Sequence, residues 1–261
     1  MLKSGLWTQL AQVEPNMQIG ISQAHANSGQ LTEGDMEHLS KAIATTYAAD
    51  SLRKAVRDQL LVTLSSQDAA TVLRWLATDL GKRITALEEA GSSPGAALER
   101  QNAGPRVLAS LSAPRKERVE RLARVTLSAE GAAAIIIDSM AGIARGLAVS
   151  GPDATSDSVD DLKSKFESQR ARYIEMLGPQ IVADYAAMYQ PLSDQELDQY
   201  VTFCESAAGQ KYAAASLDAI DKALTQAAVR LGQQLLRMPP DISRNPDPHR
   251  LGRFRVQPVA A

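Results

Sequence analysis

Two stretches late in the chain, Leu192-Ser193-Asp194-Gln195-Glu196 and Phe203-Cys204-Glu205-Ser206-Ala207-Ala208-Gly209-Gln210-Lys211, repeat a pattern set down earlier. Leu64-Ser65-Ser66-Gln67-Asp68 matches the first of them, Leu64 opposite Leu192, and that register holds without a gap. Trp75 falls opposite Phe203, Leu76 opposite Cys204, Thr78 opposite Ser206, Gly81 opposite Gly209, and Lys82-Arg83 opposite Gln210-Lys211. Internal similarity of this kind marks a duplicated structural unit. Each copy spells a helix, a corner and a second helix. Ser65 and Ser193 are N-cap residues, and Asp68 and Glu196 stand three places on, as a capping box or its shorter analogue requires. Leu64 and Leu192 take the place of a hydrophobic staple. Thr78 and Ser206 cap the following helix at once. Gly81 and Gly209 then fall at its third position, where a side chain would collide with the helix before it.

Outward from the corners, apolar residues recur at helical spacing almost everywhere and strand signals are nearly absent. The 261 residues are 44% hydrophobic but only 4% aromatic. Alanine, the best helix former, is roughly a sixth of the chain. An all-α unit of about ten helices follows. Helices are expected over 2–13, from Pro15, and over 32–45, 49–61, 67–77, 79–90, 115–127, 130–149, 159–176, 180–189, 194–205 and 207–237. Gly91-Ser92-Ser93-Pro94 is read as a break, because proline cannot continue a helix, and Gly178-Pro179 as a break or a kink. The first helical copy spans 1–110 and the second, packed on it, 111–237. Residues 238–261, with Pro239, Pro240, Pro246, Pro248 and Pro258, form an irregular tail. A weaker upstream match, in a different register, sets Leu39 opposite Leu122, Leu52 opposite Ile135 and Leu60 opposite Ile143.

The second corner's Leu-Ser-x-Gln-Glu…Phe-x-x-Ser-x-x-Gly-Gln-Lys run resembles the bacterial domain of unknown function numbered 2059. Trp75-Leu76-x-x-x-Leu80-Gly81-Lys82-Arg83 with Leu87-Glu88-Glu89-Ala90 is similar to the first copy of its longer members, and Ser4-Gly5-Leu6-x-x-Gln9-Leu10 to their start. The resemblance spans residues 2–236, with its sharp motifs at the two corners. It implies a mostly helical protein, export in many members, and no established activity, so no catalytic residues carry over. Ala207 stands where the family often has proline, and either suits the first turn. No signal peptide is visible after Met1. Export is therefore an implication of the resemblance, with the cytoplasm as the alternative.

The residues themselves offer little chemistry. Net charge is −2, which gives no global pull toward nucleic acid or anionic lipid. A single cysteine, Cys204, excludes an intrachain disulfide and a cysteine zinc site. It shares a helical stripe with Leu197, Tyr200 and Val201 and is read as core. His25, His38 and His249 are scattered, without a partner acid and nucleophile. Asp160-Asp161 and Glu88-Glu89 lack the helical histidine spacing of a metal site. Gly142-Ile143-Ala144-Arg145-Gly146 follows no strand and is no phosphate loop. Residues 132–149 are apolar but interrupted by Asp138 and Arg145, and read as a buried core helix rather than a membrane span.

Two basic clusters, Arg115, Lys116, Arg118, Arg121 and Arg124 on one helix and Arg244, Arg250, Arg253 and Arg255 in the tail, lack aromatic platforms apart from Phe254. They read as a solvated face and a tail. Scarce aromatics gather in one stretch, so Tyr185, Tyr189, Tyr200 and Phe203 are a candidate groove as well as a candidate core. The expected function is non-enzymatic: an exported helical protein, without cofactor, binding a macromolecular partner in the cell envelope. The alternative is a carrier of a small apolar ligand or lipid in an interhelical cavity.

Overall fold

A computed structural model describes residues 4–28, 32–150, 161 and 164–236. Among them the protein is all-α, with twelve helices and no strand. These are α1 (Leu6–Ala11), α2 (Val13–Ser28), α3 (Glu33–Thr46), α4 (Ala49–Thr63), α5 (Ser66–Leu76) and α6 (Asp79–Gly91). There follow α7 (Pro94–Ser110), α8 (Ala113–Val125), α9 (Ser128–Ser150), α10 (Arg170–Met188), α11 (Asp194–Glu205) and α12 (Ala207–Leu235). The expected tail from residue 238, most of the polar loop over 150–157 and the helix start at Val159 lie outside the described residues.

Side-chain caps set most of the starts. Thr32 with Asp35 and Ser193 with Glu196 form full capping boxes. Ser65, Thr78, Ser93, Ser112 and Ser206 each accept a hydrogen bond from the backbone N–H three residues on. Two expectations need correcting. Residues 94–110 are helical, because Ser93 caps them and Pro94 sits in the first turn, where its missing N–H costs nothing. Gly178-Pro179 does not end a helix: α10 runs through it to Met188. The turn comes earlier, at Ser168-Gln169, after a helical stretch over 164–167.

The stretches 1–110 and 111–237 share their core clusters. One core cluster joins Leu6, Leu10, Ile43, Tyr47, Leu52, Val56 and Leu60 to Ala219, Ala223, Ala227 and Leu231 of α12. A second joins Ile84 of α6 to Val119, Leu122, Tyr189, Leu197 and Val201. Each cluster therefore draws on both halves of the chain. α7 packs chiefly on α10, and α12 on α9, α4, α3 and α5. Arg100 on α7 adds a polar tie to α10: its Nε lies 2.6 Å from Asp184 Oδ1, and it also donates to the Gly91 carbonyl. Burial nevertheless pushes the Asp184 carboxyl up, against the pull of Arg100.

The longest helix contact is made of small residues. Gly142 and Gly146 on α9 face Thr225, Ala228, Val229 and Gly232 on α12. A Cβ on Gly146 would collide with the Val229 carbonyl, and one on Gly232 with that of Ile143. The Gly-x-x-x-Gly spacing of 142–146 thus brings two backbones together, as small residues do at helix crossings. By length and composition Ser128–Ala148 could cross a membrane, with mean hydropathy 1.4. In this fold it is the partner of α12.

Candidate functional site

The two corners pack on each other through contacts that pair matching positions of the two sequence stretches. Trp75 stacks flat on Phe203, its equivalent in the second copy, at 3.9 Å between ring centroids. Arg83 pairs with Glu196, and Lys211 pairs with Asp68 at 3.0 Å. Arg83 and Lys211 are equivalent positions, as are Asp68 and Glu196, so each corner gives its base to the other's acid. This reciprocity defines an isologous contact. The Ser65 hydroxyl and Lys211 hold the Asp68 carboxyl below its usual range. At Glu196 the backbone and hydroxyl of Ser193 act first, with Arg83 adding to them. Both glycines sit where the corner needs them. A Cβ on Gly81 would meet the Trp75 carbonyl, and one on Gly209 that of Phe203. Ser65, Thr78, Ser193 and Ser206 take the cap positions read from the sequence.

The candidate groove residues do come together, but they fill the space between them. Tyr189 packs edge-on to Tyr185 at 5.3 Å and to Tyr200 at 5.6 Å, and Tyr200 stacks on Trp75 at 5.5 Å. Glu88 of α6 enters this cluster. Its Oε1 accepts from the Tyr189 hydroxyl at 2.8 Å and the Tyr200 hydroxyl at 2.9 Å. Desolvation pushes the Glu88 carboxyl up despite those two donors, and neighbouring Glu89 adds to the shift. The Tyr185 hydroxyl reaches Ser128 at 2.7 Å, and Ser128 in turn reaches Thr126. Glu88 was legible only as half of an acid pair; its role comes from the rings of α10 and α11. Cys204 is buried beside it, its thiol pushed up to about 12 by desolvation, with the Glu88 charge next.

The basic face of α8 is divided: Arg115 and Arg118 are largely covered and engaged within the fold, whereas Lys116, Arg121 and Arg124 stay exposed. Arg118 Nε lies 2.8 Å from Asp198, its Nη1 3.5 Å from Asp194, and Arg121 pairs with Glu205. Arg115 pairs with Asp194 and donates to the carbonyls of Tyr189, Gln190 and Leu192. Between the arginines, Val119 and Leu122 bury Leu197 and Val201.

The equivalent face of the first corner is open. Ser66, Ala70, Leu73 and Ala77 stand where α11 has Asp194, Asp198, Val201 and Glu205, and all four are exposed. Leu73 is 43% exposed where Val201 is 1%. Leu61 and Val62, at the positions of Tyr189 and Gln190, are 74% and 83% exposed. The weaker upstream match does not extend to this packing: α8 lies on α11 and α10, whereas α3 lies on α12 and α2.

Among the described residues no group of three or more His, Cys, Asp or Glu side chains is placed to hold a metal ion. No family model, no curated protein and no solved structure matches the chain.

Proposed function

We propose that this is a non-enzymatic, exported helical protein, akin to the domain-of-unknown-function 2059 family, that binds a macromolecular partner in the cell envelope. The observation that carries the binding reading is the exposure of three aliphatic side chains on consecutive helices, Leu61 and Val62 on α4 and Leu73 on α5. Exposed apolar side chains of this size suit an interaction surface. The aromatic cluster supports a structural role instead, because its rings occupy one another's space.

A photo-crosslinking amino acid at Val62, introduced into the full-length tagged protein in cells, tests the reading. One discrete higher-mass species in the envelope fraction is expected, absent when the crosslinker stands at exposed Glu99 on α7. Identical patterns at both positions, or the protein confined to the cytosolic fraction, would overturn it.

A further inference from the structure

We infer that the exposed face of α5 docks an amphipathic helix of a partner protein, aliphatic and uncharged on its contact side, in the place that α8 takes on α11. This rests on the partner-binding reading above and gives the partner a chemistry.

Ser66, Ala70, Leu73 and Ala77 are spaced four, three and four residues apart, so they form one stripe along α5. The same structure holds a helix against the matching stripe of the second corner. There α8 lies along α11, seated by Val119 and Leu122 and fixed by Arg115, Arg118 and Arg121 on three acids. Those acids are replaced on α5 by Ser66, Ala70 and Ala77. An arginine ladder would have no counter-charge here and would lose hydration without return. Small side chains let a helix axis come close, leaving Leu73 as the central knob. Leu61 and Val62, both exposed, hold the positions of Tyr189 and Gln190, whose carbonyls accept from Arg115 in the second corner. Exposed Arg74, next to Leu73, favours an acidic residue at the partner's rim. The stripe runs the length of an 11-residue helix, so a partner of three to four turns suits it.

The probe is a synthetic peptide of residues 112–127 with Arg115, Arg118 and Arg121 replaced by alanine, titrated against the full chain by fluorescence anisotropy. The unmodified peptide is the comparison. The alanine peptide is expected to bind at least tenfold more tightly than the unmodified one. Leu73→Glu and Leu61→Glu should each weaken it tenfold or more, and Leu61→Glu should do so without moving the melting temperature, since Leu61 is 74% exposed. The proposal falls if the alanine peptide does not bind, if both peptides bind alike, or if Leu73→Glu has no effect. It also falls if the chain alone sediments as a dimer that Leu73→Glu dissociates, because a second copy then covers the face. Failure of the peptide with the Val62 crosslink retained would remove the helix and leave partner binding standing.

Discussion

Trp75 lies parallel to Phe203, the planes 8° apart, although the two are distant in sequence and occupy the same position in their respective copies. The contact is one where matching positions of the two corners meet each other directly. The paired charges of Asp68 with Lys211 and Glu196 with Arg83 flank it on either side. Self-complementarity is the reason a duplicated corner can close on itself inside one chain.

Truncating this ring pair should therefore be costly on either side. Trp75→Ala and Phe203→Ala are each expected to destabilise by about 3 kcal/mol, the usual range for a large aromatic in a packed site. The double variant should cost less than the two added together, since about 1 kcal/mol belongs to the ring pair itself. Phe203→Trp, which makes the ring pair symmetric, should keep the fold. Urea denaturation of the parent and these variants measures all of this, and additive losses would show that the rings do not interact.

The charged flanks can be tested by reciprocity. Exchanging charges within one corner, Glu196→Lys with Lys211→Glu, sets like against like at both pairs. Exchanging them in both corners, adding Asp68→Lys and Arg83→Glu, restores opposite charges. The first variant should melt lower than the parent and the second should recover only the ion-pair part, because lysine at 68 and 196 also removes the acids bonded to Ser65 and Ser193 at the helix starts. The ion-pair part should shrink at high salt, since Arg83 and Lys211 are exposed. The folded-state carboxyls of Asp68 and Glu196 lie below their usual values. Their contribution is thus present above the unfolded pKa and disappears as pH falls through the lowered folded value. Melting temperature against pH should show the parent and the within-corner exchange converging in acid.

Glu88 gives the opposite sign. Its carboxyl is raised in the folded state, so the native protein holds that proton more tightly than the unfolded chain does. The stabilisation is complete below the unfolded value and is lost as pH rises through the folded one. Glu88→Gln keeps an oxygen that can accept from both tyrosine hydroxyls, as Oε1 does, and removes the charge. Relative to this variant, the parent should become less stable with rising pH across that window, read from denaturation midpoints in a pH series. A constant difference between the two proteins would mean that Glu88 does not titrate in the cluster.

Much of the fold was legible because its determinants are local. Ser65, Thr78, Ser193 and Ser206 announce helix starts, and Gly81 and Gly209 announce a corner too tight for a side chain. The α7 helix was not, since Gly91-Ser92-Ser93-Pro94 reads as a break and no start was assigned after it. Pro94 is harmless in the first turn, and Pro105 is carried within α7 as Pro179 is within α10. The packing face of Gly142 and Gly146 needed its partner, Gly232, which only α12 brings alongside. For the same reason the ion pairs of Arg115 and Arg118 could not be read from α8 alone, since α11 supplies their acids. The open stripe of α5 is invisible in sequence, because an exposed Ala-Leu face on one helix is indistinguishable from a buried one.

The α9–α12 crossing makes a sharper prediction than the corners. At Gly146 and Gly232 an added Cβ would meet backbone carbonyls of the opposite helix, not flexible side-chain ends. Neither backbone can yield without moving a helix that also carries core contacts. Gly146→Ala should therefore destabilise by about 1–3 kcal/mol through overpacking, although alanine is the better helix former. Gly178→Ala is the matched control, since nothing lies within 4 Å of its Cβ position. It should be neutral or slightly stabilising. Equal effects at the two sites, measured by thermal melts, would reject close backbone approach as the reason for Gly146.

Cys204 should be silent as a nucleophile. It occupies the position of Leu76 in the other copy and is buried in the second core cluster with Leu197 and Val201. Its thiol is pushed up to about 12, first by desolvation and then by the nearby Glu88 charge. Reaction with a thiol reagent needs the thiolate, and at neutral pH almost none exists. Access is also blocked unless the corner opens. The native protein should label only as fast as it unfolds, whereas the denatured chain should react fully. Cys204→Ala should cost on the order of 1 kcal/mol, from a cavity smaller than those left by leucine. If partner binding runs through α5, this variant should retain the Val62 crosslink unchanged. Rapid labelling of the native state would instead place the thiol at the surface and overturn the assignment of this stripe to the core.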